Sequence, residues 1–467
     1  MFIKMNNFVG IVAFCKNNGI GKSNVIPWSI KDDILFFKMI TTNCIVIMGR
    51  NTYESIPDKH RPLKHRFNIV LTNNPNNYKS ESNLVYTKYE NIFSIIEQHN
   101  LTYPSVFVVG GVSIYKLFYN NISSFYVTYI DKSFDADKHF PMLTNDFALC
   151  VHSKNHWDET EECYFRFLKY YRVTDKYQHD ETYFKLAKRV LSSNQERVNR
   201  TDISTLSVFG DQISFNIEHT VPLLTTKRVA WKSCIEELLW FMRGDTDANI
   251  LKEKKVNIWN GNSSREFLDK VGLTHLEEGD CGANYSFQWR YYGQQYMDCN
   301  TEYIKKSKYD QINNIIHLLK TDPYSRRIFL SAWNPLDLDK TVLPPCHVSA
   351  QFYVDNDKGL SCHMYQRSCD VFLGLPFNIF SYTVLTYILA KKCNLTPRKL
   401  IISLGDVHVY SNHIVQIKEQ MSRSVLAYPK LVLSDNVVDK EIEDINIEDF
   451  ELIGYFPHNS IKAPMAV

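Results

Sequence analysis

The stretch Pro344-Pro345-Cys346-His347 sets a thiol beside a proline-stiffened turn. A thiol attacks carbon only as the thiolate, and nearby cations favour that form. Arg200, the adjacent pair Arg326-Arg327 and Arg367 can supply such cations. Four arginines from distant positions are also what a phosphate monoester needs, because guanidinium forks match its oxygens. A buried, inert thiol with solvated arginines around it would leave the same letters. A second candidate is Asp33 in Asp33-Ile34-Leu35-Phe36-Phe37-Lys38. A carboxylate against an apolar aromatic surface needs a partner, and a cationic or amidine-like heterocycle would serve. The alternative is a solvated first-turn acid favoured by the helix dipole, which suits Asp32 better. Third come the glycines: Gly19-Ile20-Gly21-Lys22, Met48-Gly49-Arg50-Asn51-Thr52 and Val108-Val109-Gly110-Gly111-Val112. Free N–H groups at such a turn attract a diphosphate, although a plain tight turn has the same spelling. The Gly-x-Gly-x-x-Gly pattern is absent, so a Rossmann domain does not follow.

These residues need elements to hold them. Up to about residue 171, β-branched runs alternate with helical stretches: Val9–Phe14, Cys44–Met48, Asn68–Leu71, Val106–Val109, Phe125–Ile130 and Tyr164–Tyr171. Alternation of this kind predicts an α/β sheet with crossover helices. From Asp180 to Ser192 the spacing of Tyr183, Leu186, Ala187, Val190 and Leu191 predicts a helix that opens a second unit. That unit mixes helices at Ser233–Met242 and Phe377–Lys391 with strands at Ile328–Trp333, Val348–Val354, Gly359–Tyr365 and Lys399–Gly405. The Asp298–Lys308 stretch reads as a polar surface insertion. The boundaries expected are 1–172, a short junction at 173–179, and 180–467. With no Gly/Ser or Pro tract, the junction predicts close coupling.

Composition narrows the function classes. The 467 residues suggest two or three domains, and 53 Lys+Arg against 51 Asp+Glu leave a net charge of +2. A disordered chain is excluded, and a nucleic-acid coat finds no basic field to support it. Eleven cysteines without a Cys-x-x-Cys pair predict reduced thiols and a cytoplasmic setting. A zinc hydrolase built on Cys346-His347 and Cys362-His363 lacks tetrahedral ligand spacing, so no metal is expected. The apolar Val371–Ala390 run is broken by Gly374, Pro376 and Asn378 and is too short to span a bilayer.

In order along residues 8 to about 171 stand Gly-Ile-Gly, Ile26-Pro27-Trp28, Met48-Gly49-Arg50-Asn51-Thr52, Ser55-Ile56-Pro57, Arg61-Pro62-Leu63, Val109-Gly110-Gly111 and Val127-Thr128. This ordered set resembles dihydrofolate reductase. The resemblance implies that Asp33 binds the pterin edge and supports N5 protonation, that Phe37 packs on the folate rings, and that Thr128 hydrogen-bonds Asp33. It implies Arg66 for the glutamate α-carboxylate, and Gly21, Arg50, Thr52, Thr72, Gly110 and Gly111 for NADPH. Ile26 and Tyr53 replace the usual leucine and tryptophan without removing a catalytic group.

Residues 180–467 resemble thymidylate synthase through Thr205–Gly210, Leu223–Arg228, Glu237–Phe241, Phe287–Arg290, Ala332–Pro335, Tyr365–Ser368, Pro376–Asn378 and Gly405–Tyr410. The resemblance implies that Cys346 adds to C6 of dUMP. It gives Arg200, Arg326, Arg327, Arg367 and Ser368 the 5′-phosphate, with Arg326-Arg327 coming from a second subunit. Asn378 reads the uracil edge, His408 and Tyr410 hold the ribose 3′-OH, Glu237 relays protons, and Tyr285 lies near the C5 proton. Trp259, Asp370 and Val467 contact the folate, 5,10-methylenetetrahydrofolate, which donates carbon and hydride. Asp202 in a usually glycine-containing loop, Asn284 before Tyr285, and Cys369 are departures. The pair in one chain resembles the bifunctional reductase–synthase of protozoa. The expected fold is an amino-terminal α/β sheet domain followed by an α+β domain. The expected assembly is a homodimer through the second domain, binding dUMP, dihydrofolate and NADPH, with no membrane and no obligatory nucleic acid.

Overall fold

The computed structural model describes residues 8–99, 101–103, 105–173, 177–193, 195–198, 203–304 and 309–464. Arg200, Asp202 and Val467, the end of the polar insertion and part of the junction lie outside the described residues. The chain divides into two compact units, residues 1–176 and 177–467.

The first unit is built on one sheet. Across it run His156–Asp158, Cys163–Arg172, Ile122–Ile130, Phe8–Cys15, Val106–Gly110, Ile45–Gly49, Phe67–Leu71 and Leu84–Thr87. The last six named are parallel, whereas Cys163–Arg172 returns antiparallel along Ile122–Ile130. Strands covered on both faces must be apolar throughout. Ile45, Val46, Ile47 and Met48 accordingly have no exposed surface. Helices Lys31–Thr41, Ile92–His99 and Val112–Phe118 supply crossovers. Five of these strands extend one to three residues beyond the apolar runs that announce them, and the run Cys44–Met48 is shifted by one residue to the strand Ile45–Gly49. Leu84–Thr87 and Phe147–His152 are too short or too mixed to be read from the sequence.

In the second unit the sheet order is Glu196–Arg197, Thr205–Asn216, Thr396–Tyr410, Gly359–Asp370, His347–Val354 and Phe329–Ser331. Only Gly359–Asp370 and Thr396–Tyr410 are parallel among these. Thr205–Asn216 was legible as a motif but not as a strand, because Gly210 and Asp211 interrupt its alternation. Its pairing with Thr396–Tyr410 from Thr205↔Tyr410 to Asn216↔Lys399 overrides that local preference. Helix Gly374–Lys392 covers one face of the sheet and is apolar nearly all round, burying Leu375, Ile379, Phe380, Leu385 and Leu389. The other face keeps Phe329 at 45%, Tyr353 at 68% and Tyr365 at 42% exposure.

Candidate functional site

In the first unit the candidate groups gather at the carboxyl ends of parallel strands, where open α/β sheets bind ligands. Val106–Gly110, Ile45–Gly49 and Phe67–Leu71 are neighbours in the sheet, with Met48 opposite Gly110 and Gly49 opposite Leu71. Gly110, Gly49 with the start of helix Arg50–Ser55, and Thr72 therefore share one edge. Gly110 has φ +129°, a conformation that a side chain would strain, and a Cβ on Gly111 would stand 3.2 Å from Thr52 Oγ1. That cradle fits a diphosphate, which approaches only where no Cβ intrudes. Gly21 ends the short strand Gly19–Gly21, paired with Lys138–His139. Arg50 sits differently from its expected anion-binding pose: Nη1 donates to Glu54 Oε1 and Oε2 at 3.1 and 2.9 Å.

Asp33 lies in the first turn of helix Lys31–Thr41 beside Thr128, two residues from the end of strand Ile122–Ile130. Burial raises its pKa, and hydrogen bonding by Thr128 and Trp28 pulls it partly back. Asp32, its neighbour, is exposed, so only one of the two acids has the desolvated setting a pterin partner requires. Arg66 is buried and fixed by three bonds: Nε to Thr41 Oγ1 at 2.8 Å, Nη1 to Lys64 O at 2.8 Å and Nη2 to Lys38 O at 3.1 Å. Its guanidinium carbon lies 5.7 Å over the Phe37 ring, so cation and ring are presented as one surface.

In the second unit Cys346 is half-buried just before strand His347–Val354. Its N–H donates to Tyr285 Oη at 2.6 Å, and its carbonyl accepts the Arg367 N–H at 2.8 Å. Arg367 also reaches back with Nε to Pro345 O and Nη2 to Pro344 O, both at 2.8 Å. The same guanidinium thus clasps the proline turn that carries the thiol. Gly405 makes this possible, since a Cβ there would fall 2.7 Å from Arg367 O. Arg326 and Arg327 are exposed on the turn before edge strand Phe329–Ser331.

Around this turn the polar groups are already oriented. Gln366 Nε2 donates to Asn378 Oδ1 at 3.1 Å and to Ser368 O at 3.0 Å, while Gln366 Oε1 is buried without a protein partner. This bond fixes which way the Asn378 amide points. Asp406 Oδ1 lies 3.0 Å from His408 Nδ1 and Arg197 Nη1 lies 3.3 Å from Asp406 Oδ2. The imidazole stands edge-on to Tyr410, 5.2 Å between centroids. Glu237 accepts from Trp259 Nε1 at 2.8 Å; burial raises its pKa to about 7 and the indole pulls it back. Asp370 Oδ1 accepts the Phe372 and Leu373 N–H groups at 3.0 and 3.3 Å. Lys227 Nζ donates to Phe372 O at 2.5 Å, with its pKa lowered to about 7 by burial. Among the described residues no group of three or more His, Cys, Asp or Glu is placed to hold a metal ion.

Of the expected residues, the second unit bonds Cys346 to Tyr285 and Arg367, Ser368 and Asn378 to Gln366, and Glu237 to Trp259. It leaves Arg326 and Arg327 on the surface of the chain. Gln366, Asp406, Lys227 and Thr41 also take part, although no motif marks them individually. All but Thr41 lie inside the sequence motifs, and each also bonds a group from elsewhere in the chain: Gln366 meets Asn378, Asp406 meets Arg197, Lys227 meets Phe372 and Thr41 meets Arg66.

A thymidylate synthase family model matches residues 181–467 and a dihydrofolate reductase model matches residues 7–172. The bifunctional dihydrofolate reductase-thymidylate synthase of Paramecium tetraurelia is 40% identical over 472 residues, covering 98% of this chain and 99% of its own length. That of Zea mays is 38% identical over 99% of this chain and 97% of its own length. That of Leishmania major is 37% identical over 100% of this chain and 96% of its own length. With both matches in tandem and relatives aligned nearly end to end, the chain belongs to the bifunctional dihydrofolate reductase–thymidylate synthase family.

Proposed function

We propose a division of labour among these residues for the two reactions of the family. The chain converts dUMP and 5,10-methylenetetrahydrofolate to dTMP and dihydrofolate, and reduces dihydrofolate to tetrahydrofolate with NADPH. In the second unit Cys346 Sγ adds to C6 of the pyrimidine, which makes C5 the nucleophile towards the one-carbon unit. Arg200, Arg326, Arg327, Arg367 and Ser368 hold the 5′-phosphate, and His408 with Tyr410 holds the ribose. Asn378, aimed by Gln366, reads the uracil edge; cytosine would set a donor against a donor there. Glu237, tuned close to neutral pH, moves protons through ordered water, and Tyr285 stands by the C5 proton. Trp259, Asp370 and Val467 enclose the folate.

In the first unit Asp33 holds the pterin edge and supports protonation at N5, Thr128 orients the carboxyl, Phe37 stacks on the folate rings, and Arg66 receives the glutamate α-carboxylate. NADPH, when bound, supplies the hydride. Gly21, Arg50, Thr52, Thr72, Gly110 and Gly111 would hold it, Arg50 after exchanging Glu54 for phosphate. The observation that most supports this reading is the Cys346–Tyr285–Arg367 set, which joins thiol, phenol and guanidinium through one turn. Purified chain given dUMP, methylenetetrahydrofolate and NADPH should yield dTMP and NADP⁺ together; absence of dTMP would overturn it.

We infer further that the chain works as a homodimer through the second unit. A sheet face with Phe329, Tyr353 and Tyr365 left exposed needs cover, and Arg326 and Arg327 sit beside that edge, free to serve a neighbouring site. Cys346→Ala and Arg326→Ala chains, each inactive as a synthase, should regain activity when mixed, and verified mixed dimers without recovery would refute the shared site. No described helix is long and apolar enough to cross a membrane. No disulfide joins the eleven cysteines, which supports a cytoplasmic setting. The near-zero net charge supports small-molecule partners over nucleic acid.

A further inference from the structure

Helix Gly374–Lys392 carries Asn378 and, one turn later, Tyr382. Residues four apart share a helix face, so the element that offers an amide to the pyrimidine also offers a phenol nearby. The Tyr382 hydroxyl meets His347 Nδ1 at 2.9 Å. His347 is buried, and burial lowers its pKa to about 3, so the imidazole is neutral. In a neutral ring this contact is a single hydrogen bond, either from the phenol O–H to Nδ1 or from Nδ1–H to the phenol oxygen, and in both cases the hydroxyl bears on which nitrogen holds the proton. The imidazole then lies flat on Tyr285, with centroids 4.0 Å apart and planes 17° from parallel. Tyr285 Oη in turn accepts the Cys346 N–H at 2.6 Å. Tyr382 is 2% exposed and stands edge-on to His347, 5.3 Å between centroids at 80°. The contacts thus run without a break from the helix to the backbone N–H of Cys346.

We propose that Tyr382 is a positioning residue for dUMP methylation, which fixes the tautomer and plane of His347 and through them holds the Tyr285 phenol at the pyrimidine C5. The proposal rests on the role given above to Tyr285. A hydrogen bond and a stacked ring together define both the height and the tilt of that phenol. Packing alone would hold its height and leave the imidazole able to turn about its bond to Cβ.

The test is Tyr382→Phe, which keeps the ring and removes one hydroxyl. The turnover number for dTMP should fall about tenfold, the effect of one buried hydrogen bond, with KM for dUMP changed by no more than about twofold. Tritium release from [5-³H]dUMP should slow in step, and NADPH-dependent dihydrofolate reduction by the same chain should be unchanged. In a His347→Phe background, which keeps a ring but no ring nitrogen, Tyr382→Phe should add no further loss. An unchanged turnover number, an additive loss in the double variant, or a joint loss of both activities would each overturn the proposal. Tyr285→Phe separates its failure from that of the underlying reading. Unchanged tritium release in Tyr285→Phe refutes the role of Tyr285; impaired release there with an unaffected Tyr382→Phe refutes only the role of Tyr382.

Discussion

The two units solve opposite problems with buried carboxyls. Burial raises the pKa of Asp33, and the side chains of Thr128 and Trp28 partly offset that rise. Glu237 is raised to about 7 with the Trp259 indole bonded to it, and the bonded network of its unit gathers instead about the Cys346 turn. The difference follows from the chemistry each must do. In the reductase unit the reducing equivalent is carried by NADPH, so the protein need only bind, orient and favour one protonation. In the synthase unit the proposed nucleophile is a protein sulfur, which would make and break a bond to carbon, and each developing charge would need a protein group already in place. A sparse site suffices for the first and a bonded network is required by the second.

Removing the sulfur breaks the comparison most sharply. Cys346→Ala should lower dTMP formation at least about 10⁴-fold while dihydrofolate reduction continues unchanged. Measurable dTMP at the wild-type rate would remove the nucleophile from the scheme. The counterpart is Asp33→Asn, expected to slow dihydrofolate reduction about 10²- to 10³-fold at neutral pH. The deficit should shrink in acid, where solvent supplies the proton, and dTMP synthesis should be untouched. If Asp32→Asn gave that profile instead, the exposed acid would be the active one.

Glu237→Gln sharpens the contrast through stability as well as rate. The folded pKa of about 7 lies above the ordinary value of 4.5, so the folded state holds the extra proton between them. The stability this gives is complete below about pH 4.5 and is lost as pH rises through 7. Glu237→Gln removes that dependence and should raise stability on the order of 2 kcal/mol at pH 8 relative to pH 5, compared with the parent. Denaturant midpoints at the two pH values measure it, and equal shifts would show that the carboxyl is not desolvated. Its synthase rate should fall about 100-fold and lose the ionisation near pH 7. The smallest effect expected is for Gln366→Leu, which frees the Asn378 amide to turn. Preference for dUMP over dCMP, read from the ratio of kcat/KM values, should drop about tenfold; an unchanged ratio would show that Asn378 is aimed by other contacts.

Much of this was legible because motifs put unlike residues at fixed short distances. Pro344-Pro345-Cys346-His347, Gly110-Gly111 and the Asp33 helix were visible before any fold, and so were the apolar runs at Val9–Phe14 and Ile45–Met48. Thr205–Asn216 was not visible as a strand, since its pairing with Thr396–Tyr410 lies about two hundred residues away in the chain. Nor was Arg367 visible as the clasp of the proline turn, because its acceptors are backbone carbonyls that carry no sequence signature. Arg50 shows the same limit: its partner Glu54 was four residues away, but helix geometry decides that they meet.

The amino-acid order by itself determined which chemical groups are available and in which unit: a sulfur, a set of guanidiniums, two carboxyls suited to burial, and glycines where a phosphate can approach. Tertiary structure alone decided which carboxyl is desolvated, which amide is aimed by which neighbour, and which phenol meets the His347 imidazole. Those properties depend on dielectric and on direction, and both are set by residues that meet only after the chain has folded.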